Sequence, residues 1–159
     1  MVSDDSNDNS LPENALKILL VDDDKDDADI FAEALKNLKV PHLLTTTDRC
    51  TSLFSLLDEG KTYDIIFLDI NMPEINGKQC LASLKAHPEY KHIPVIIFTG
   101  SKSPPDIDDS YQLGAHYHMV KPYSQINYSE SLKAIFTTNW KKKPPVPPRD
   151  NFLINFTFN

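Results

Sequence analysis

Glycine is scarce in this 159-residue chain, which has four, and tryptophan occurs once. So few glycines cannot build a glycine-rich phosphate loop, and nucleotide binding of that kind is excluded. No apolar run approaches the roughly 18 residues of a membrane span. The opening residues, Met1-Val2-Ser3-Asp4-Asp5, lack the basic region and apolar stretch of a secretion signal. Basic charge is short too: 16 Lys and Arg against 23 Asp and Glu leave a net charge of −7. A nucleic-acid surface has the opposite footprint, so neither nucleic acid nor membrane is expected as a partner. The two cysteines, Cys50 and Cys80, match no metal or redox spacing and are expected as buried or half-buried thiols in a reducing cytoplasm. What is present, 40% apolar and 25% charged residues, is enough for one globular core.

Residues 1–14 carry Asp4, Asp5, Asp8 and Glu13 among Ser and Asn and are expected to be a disordered acidic lead-in. Residues 15–139 are expected to form the domain. Within it Ile18-Leu19-Leu20-Val21, Ile65-Ile66-Phe67-Leu68 and Val95-Ile96-Ile97-Phe98 are unbroken apolar runs, suited to parallel strands covered on both faces. Weaker strand candidates at His42–Thr46 and His116–Val120 bring the count to five. Between them apolar residues recur at helical spacing: Ile30, Phe31, Ala34, Leu35 and Leu38, then Leu53, Phe54, Leu56 and Leu57. Leu81 and Leu84, Ile107, Tyr111 and Leu113, and Tyr128, Leu132, Ile135 and Phe136 mark three more helices. The fold class implied is α/β: a doubly wound, flavodoxin-like, five-stranded parallel sheet with five helices, (βα)5. Gly60, Gly77, Gly100 and Gly114 fall where elements should end.

From 140 to 159 the composition changes. Lys141-Lys142-Lys143 leads into Pro144-Pro145-Val146-Pro147-Pro148, which cannot be helix and is expected to run extended. In the final stretch, Phe152, Ile154, Phe156 and Phe158 would share one face of a strand. So many aromatics should not stay in water, so the tail is expected to dock on its own domain or on a partner.

In a doubly wound sheet the functional crevice lies beyond the carboxyl ends of the strands. The first strand ends at Asp22-Asp23-Asp24, the third at Asp69, the fourth at Thr99 and the fifth at Lys121-Pro122. Carboxylates, a hydroxyl and an ammonium thus meet at one edge. Clustered carboxylates repel unless a cation joins them, and oxygen ligands of this kind select Mg²⁺. Asp22, Asp23 and Asp69 with a backbone carbonyl could hold the ion. Asp69 could then attack phosphorus while Lys121 offsets charge and Thr99 donates to a phosphoryl oxygen. Taken singly, each residue has a plainer role. Asp24, Asp26, Asp27 and Asp29 read as caps or solvated surface, Thr99 as structural, and Lys121 as a surface lysine. Their coincidence at one edge favours a site.

These segments, from Ile18–Asp24 through Ile65–Gly77 and Pro94–Gly100 to Gly114–Pro122, resemble the response-regulator receiver domain of two-component signalling, the single-domain, CheY-like type. The aromatic ending around Phe136 and Trp140 is similar to that of regulators paired with phytochrome-type kinases. The resemblance implies that Asp69 accepts a phosphoryl group from a sensor histidine kinase, with Mg²⁺ held by Asp22, Asp23, Asp69 and the Asn71 backbone carbonyl. It further implies that Thr99 and Lys121 contact the phosphoryl group and that the Lys121–Pro122 bond is cis. The domain would be a phosphoacceptor that assists its own phosphorylation and dephosphorylation, not an enzyme in its own right. It would act in the cytoplasm on a downstream protein. A homodimer would form through the fourth helix, fifth strand and fifth helix, or through the tail.

One position departs from the family pattern. The inward-turning switch aromatic, three residues before the lysine, is here His118. The histidine could rotate as the aromatic does, make a pH-sensitive hydrogen bond, or simply pack half-exposed. Two alternatives compete with the phosphorylated switch. A haloacid-dehalogenase-type enzyme would need an aspartate two residues after Asp69, where Asn71 stands. A receiver-like binding module without phosphorylation would typically have lost one of Asp22, Asp23, Asp69, Thr99 or Lys121.

Overall fold

A computed structural model describes residues 13–156 of the chain. The expected lead-in therefore lies almost wholly outside the described residues, as does Phe158. Six parallel strands form one sheet: β1 Leu16–Val21, β2 His42–Thr47, β3 Ile65–Leu68, β4 Val95–Thr99, β5 Tyr117–Val120 and β6 Leu153–Ile154, in the order β2-β1-β3-β4-β5-β6. The order reverses direction between β1 and β3, which sets a crevice at their carboxyl ends. Five helices connect and cover the strands: α1 Lys25–Leu38, α2 Cys50–Asp58, α3 Gly77–Ala86, α4 Pro104–Gln112 and α5 Gln125–Phe136.

Side-chain alternation along each strand splits the core into two layers. Leu19, Val21, Ile66, Leu68 and Ile97 pack against α2, α3 and α4. Ile18, Leu20, Ile65, Phe67, Ile96 and Phe98 pack against α1 and α5, where Phe31, Tyr128 and Leu132 meet them. Strands buried on both faces must be apolar throughout, which is why the three central runs are unbroken. Helix starts are set by local chemistry. The Asp24 side chain accepts from Asp27 N–H, Ser103 from Asp106 N–H and Ser124 from Asn127 N–H. Asn76 and Gln79 complete a reciprocal capping box on α3.

The sixth strand comes from the tail, which extends the expected five-stranded sheet. After α5 the chain crosses the end of the sheet in a short 3₁₀ turn, Trp140–Lys142. Trp140 is buried and its indole N–H donates to Ile135 O at 2.9 Å. The proline segment then passes His116, whose Nε2 donates to Pro144 O at 2.7 Å. A second 3₁₀ turn, Arg149–Asn151, carries an Arg149–Asp108 ion pair at 2.7 Å. Phe152 follows, fully buried against Tyr111 with ring centroids 5.0 Å apart.

Phe152 and Ile154, the first two of the alternating tail residues, do not share a face as expected. Phe152 belongs to the layer under α2–α4, whereas Ile154 packs against the opposite layer. The reason is that Phe152 ends a 3₁₀ turn with helical backbone, φ −76° and ψ −35°. The two-residue alternation starts only after it.

Two more expectations are corrected. Cys50 and Cys80 are not free thiols: they form a disulfide, with Cα atoms 5.9 Å apart. Tertiary packing of α2 beside α3 brings together two residues that no motif spacing links. The Lys121–Pro122 bond is trans, since no cis peptide occurs among the described residues. Trans is the form that an X–Pro bond prefers by about 0.5–1 kcal/mol when no turn selects the other. One helix stripe also has an outlier, because Ile30 is left exposed on α1.

The disulfide closes a loop across 30 positions, and such closure stabilises a fold by about 3 kcal/mol. Urea unfolding with and without dithiothreitol is expected to differ by about that amount, and Cys80→Ala to remove the difference. The tail yields a second expectation. Burial holds His116 and His118 below the ordinary histidine value of 6.5, and for His116 the neighbouring Lys85 charge adds to it. The His116 Nδ1 is buried without a partner, so a proton added there gains no hydrogen bond. The unfolded chain therefore binds more protons than the folded one as pH falls through 6.5, and stability drops with it. Melting is expected at lower temperature at about pH 5.5 than at about pH 7.5, and His116→Gln should shrink the gap.

Candidate functional site

The carboxyl ends of β1 and β3 are adjacent because Val21 pairs with Leu68. The next residue on each strand, Asp22 and Asp69, is therefore delivered to one place. Both are buried, while Asp23 beside them is exposed. One oxygen from each of the three lies within 4.8 Å of the others. Among the described residues, this is the one group of three or more side chains that could share a metal ion.

Lys121 follows β5 and reaches across to the same point. Its Nζ lies 2.8 Å from Asp22 Oδ2, 2.7 Å from Asp27 Oδ2 and 3.0 Å from Asp69 Oδ2. Burial works against the ammonium, but the charges and hydrogen bonds of these carboxylates outweigh it and raise its pKa. One cation against Asp22, Asp23, Asp27 and Asp69 leaves the pocket negative. Burial raises the pKa of Asp22, against the lowering effect of Lys121 and the Asp24 amide. Its Oδ1 accepts from Asp24 N–H at 2.9 Å. Its Oδ2 has the lysine's charge nearby but no directed hydrogen bond. A buried, undirected carboxylate oxygen facing two other carboxylates fits a hard divalent cation.

Asp69 is held by its own loop. Its Oδ1 accepts from Asn71 N–H at 3.2 Å, and Gly77 N–H donates to Ile70 O at 2.8 Å. A Cβ on Gly77 would fall onto the Asp69 carbonyl oxygen and lie 2.6 Å from Ile70 Cα. The glycine thus marks a close backbone approach rather than a loop that needs flexibility. Thr99 ends β4 fully buried, and its Oγ1 accepts from Ser101 N–H at 3.4 Å.

The structure thus brings Asp22, Asp23, Asp69 and Lys121 together, with Thr99 on the neighbouring strand end. It does not bring His118 there. That residue is fully buried, not half-exposed, on the far side of the β4–α4 loop. Its Nε2 donates to Ser101 O at 3.0 Å, and Nδ1 lies 3.3 Å from Ser110 Oγ. Sequence reasoning missed two partners. Asp27 reads as a surface cap but turns inward to Lys121, one helical turn from the Asp24 cap. Lys78 pairs with Asp106 and Asp109, tying α3 to α4 beside the site.

Comparison with known proteins gives the family and the fold. The response regulator receiver domain model matches residues 18–133. The chain belongs to that family. The receiver is 32% identical over 125 residues to the response regulator Rcp1 of Synechocystis sp., covering 75% of this chain and 80% of that one. It is 31% identical to the chemotaxis protein CheY-3 of Vibrio cholerae, over 76% and 92% of the two chains. Among solved structures, the phosphorylated cyanobacterial phytochrome response regulator RcpA superposes with a TM-score of 0.73 at 30% identity, over 84% of this chain and 99% of that one. The Mn²⁺-bound form of Rcp1 gives 0.71 at 27%, with the same coverage. Family and neighbours are those of two-component signalling, and the fold is the flavodoxin-like one expected.

Because burial raises the Asp22 pKa above the ordinary 3.8, the charge on Asp22 at neutral pH costs folding energy. Asp22→Asn keeps the Oδ1 acceptor for Asp24 N–H. It is expected to raise the unfolding free energy by roughly 1 kcal/mol, as read by urea denaturation at neutral pH.

Proposed function

We propose that this receiver is a response-regulator phosphoacceptor whose Asp69 takes a phosphoryl group from a sensor histidine kinase. The observation that carries the reading is Lys121 Nζ, 3.0 Å from Asp69 Oδ2 inside a trio of carboxylates that needs a second cation. Asp69 attacks phosphorus; an O–P bond forms as the P–N bond to the kinase imidazole breaks, and the freed nitrogen keeps the electron pair. Lys121 already touches the acceptor oxygen and stays to offset charge on the phosphoryl group. Thr99, at the next strand end, donates its hydroxyl to a phosphoryl oxygen. Asp22, Asp23, Asp69 and the Asn71 carbonyl would hold Mg²⁺, which supplies charge neutralisation for the phosphoryl oxygens. The same residues that accept the group also support its loss to water, so the receiver is a switch rather than an enzyme acting on a separate substrate.

The likeness to Rcp1 and to the phytochrome regulator RcpA supports a phytochrome-type kinase as donor. The compartment proposed is the cytoplasm; no described helix is long and apolar enough to cross a membrane. The output is a change in a protein-binding surface around α4, β5 and α5, offered to a downstream protein or to a second copy, with the tail as the other dimer contact.

Intact mass after incubation with acetyl phosphate and Mg²⁺ tests the reading. The expected result is a gain of about 80 Da that requires the metal and disappears in Asp69→Asn. Folded protein that takes up nothing, from acetyl phosphate or from a kinase, would leave the non-phosphorylated binding module as the better reading. Light scattering on the same samples decides the dimer, since a one-chain mass in both states removes it.

A further inference from the structure

The C-terminal segment from Trp140 to Phe156 forms a strap across β5 and α4, the face at which a receiver of this kind would make its contacts. It is held lightly. Its strand has two residues, and its Arg149–Asp108 ion pair is exposed on both sides, which makes the pair weak. Phe152 is its one fully buried side chain beyond Trp140.

His118 joins this strap to the candidate site. Its backbone N–H donates to Phe152 O at 3.1 Å. Its ring donates from Nε2 to the carbonyl of Ser101 at 3.0 Å. The N–H of that same Ser101 donates to Thr99 Oγ1 at 3.4 Å. One buried residue thus touches both the loop that follows Thr99 and the strap. A parallel connection runs through α4: the Ser101 hydroxyl donates to Asp106, while Asp108 and Tyr111 further along the helix grip Arg149 and Phe152. A doubly charged group on Asp69 attracts hydroxyl donors, and Thr99 offers one at the end of the neighbouring strand. Thr99 Oγ1 then shifts away from Ser101 N–H, and the Ser101 carbonyl moves with its peptide. The buried His118 Nε2–H cannot stay unpaired, so the ring and its strand must readjust.

Resting on the phosphoacceptor reading above, we propose that the strap is the output element: phosphorylation of Asp69 loosens it from β5 by way of His118. His118 is then a positioning residue that replaces an aromatic rotation with a hydrogen-bond relay. Release uncovers the edge of β5 and the Phe152 seat beside Tyr111.

Hydrogen–deuterium exchange on the full chain, with and without acetyl phosphate and Mg²⁺, tests this, with intact mass recorded on each sample. Peptides covering 149–156 are expected to exchange about tenfold faster in the phosphorylated protein. His118→Phe keeps a ring in the cavity but loses both side-chain hydrogen bonds. It should still gain the phosphoryl mass, while the strap difference falls below about twofold. Should that variant misfold, Ser110→Ala removes the Nδ1 partner together with the hydroxyl's bond to Asp106 O, and is expected to reduce the difference in the same direction. A phosphoryl gain with unchanged strap exchange overturns the proposal and leaves the phosphoacceptor reading standing, as does a tenfold response that survives His118→Phe. No phosphoryl gain in the wild-type chain overturns both.

Discussion

One ammonium group holds the site end of this protein together. Lys121 sits within 3.0 Å of Asp22, Asp27 and Asp69, three carboxylates from two strand ends and a helix. Two of the three are buried, and buried like charges separate unless something compensates them. The lysine therefore fixes where β5 ends relative to β1 and β3, and how the first turn of α1 faces the crevice. It also leaves the account unbalanced, because a single positive charge faces Asp23 as well. A pocket that is short of positive charge, with one carboxylate oxygen lacking any directed donor, fits a further cation. Local stability is given up at that point, as expected for a functional site built on a rigid sheet.

The rest of the sheet tolerates that strain because its interior is so uniformly apolar. Central strands covered on both faces contribute no polar groups except at their ends, so all the chemistry is forced to one edge. Close approach at Gly77 adds to the precision: helix α3 starts directly under the Asp69 backbone, and no larger residue fits there. The disulfide from Cys50 to Cys80 ties α2 to that same helix within the core layer that also holds Met72, three residues past Asp69.

The strap changes how the contact face must be viewed. In a five-stranded receiver β5 would be an edge strand with open backbone groups, and open edges invite pairing. Here β6, Phe152 and the proline segment cover that edge from within the chain. Two histidines near the start of β5 serve this cover through different atoms, His116 through its ring and His118 through its backbone. The usual aromatic position is thereby occupied by a residue already committed to hydrogen bonds on both sides, which is why it is wholly buried and not free to turn into solvent.

Much of this was legible from the residues alone. Unbroken apolar runs can serve only as doubly covered strands, and helical spacing between them dictates the (βα)5 order. Asp22, Asp69, Thr99 and Lys121 fall at strand ends, and topology alone sends strand ends to one crevice. Local sequence therefore determined the fold class and the candidate trio with its lysine, because each depends on periodicity or on position next to a strand. What it could not determine were relations between segments that have no common period. Asp27 turning in to Lys121, Cys50 meeting Cys80, and Phe152 crossing to the opposite layer from Ile154 all depend on how separate elements pack. The seat of His118 between Ser101, Ser110 and the strap is of the same kind: three chain segments converge on it, and only the tertiary structure, by burying the ring and demanding partners for its nitrogens, decided which they would be.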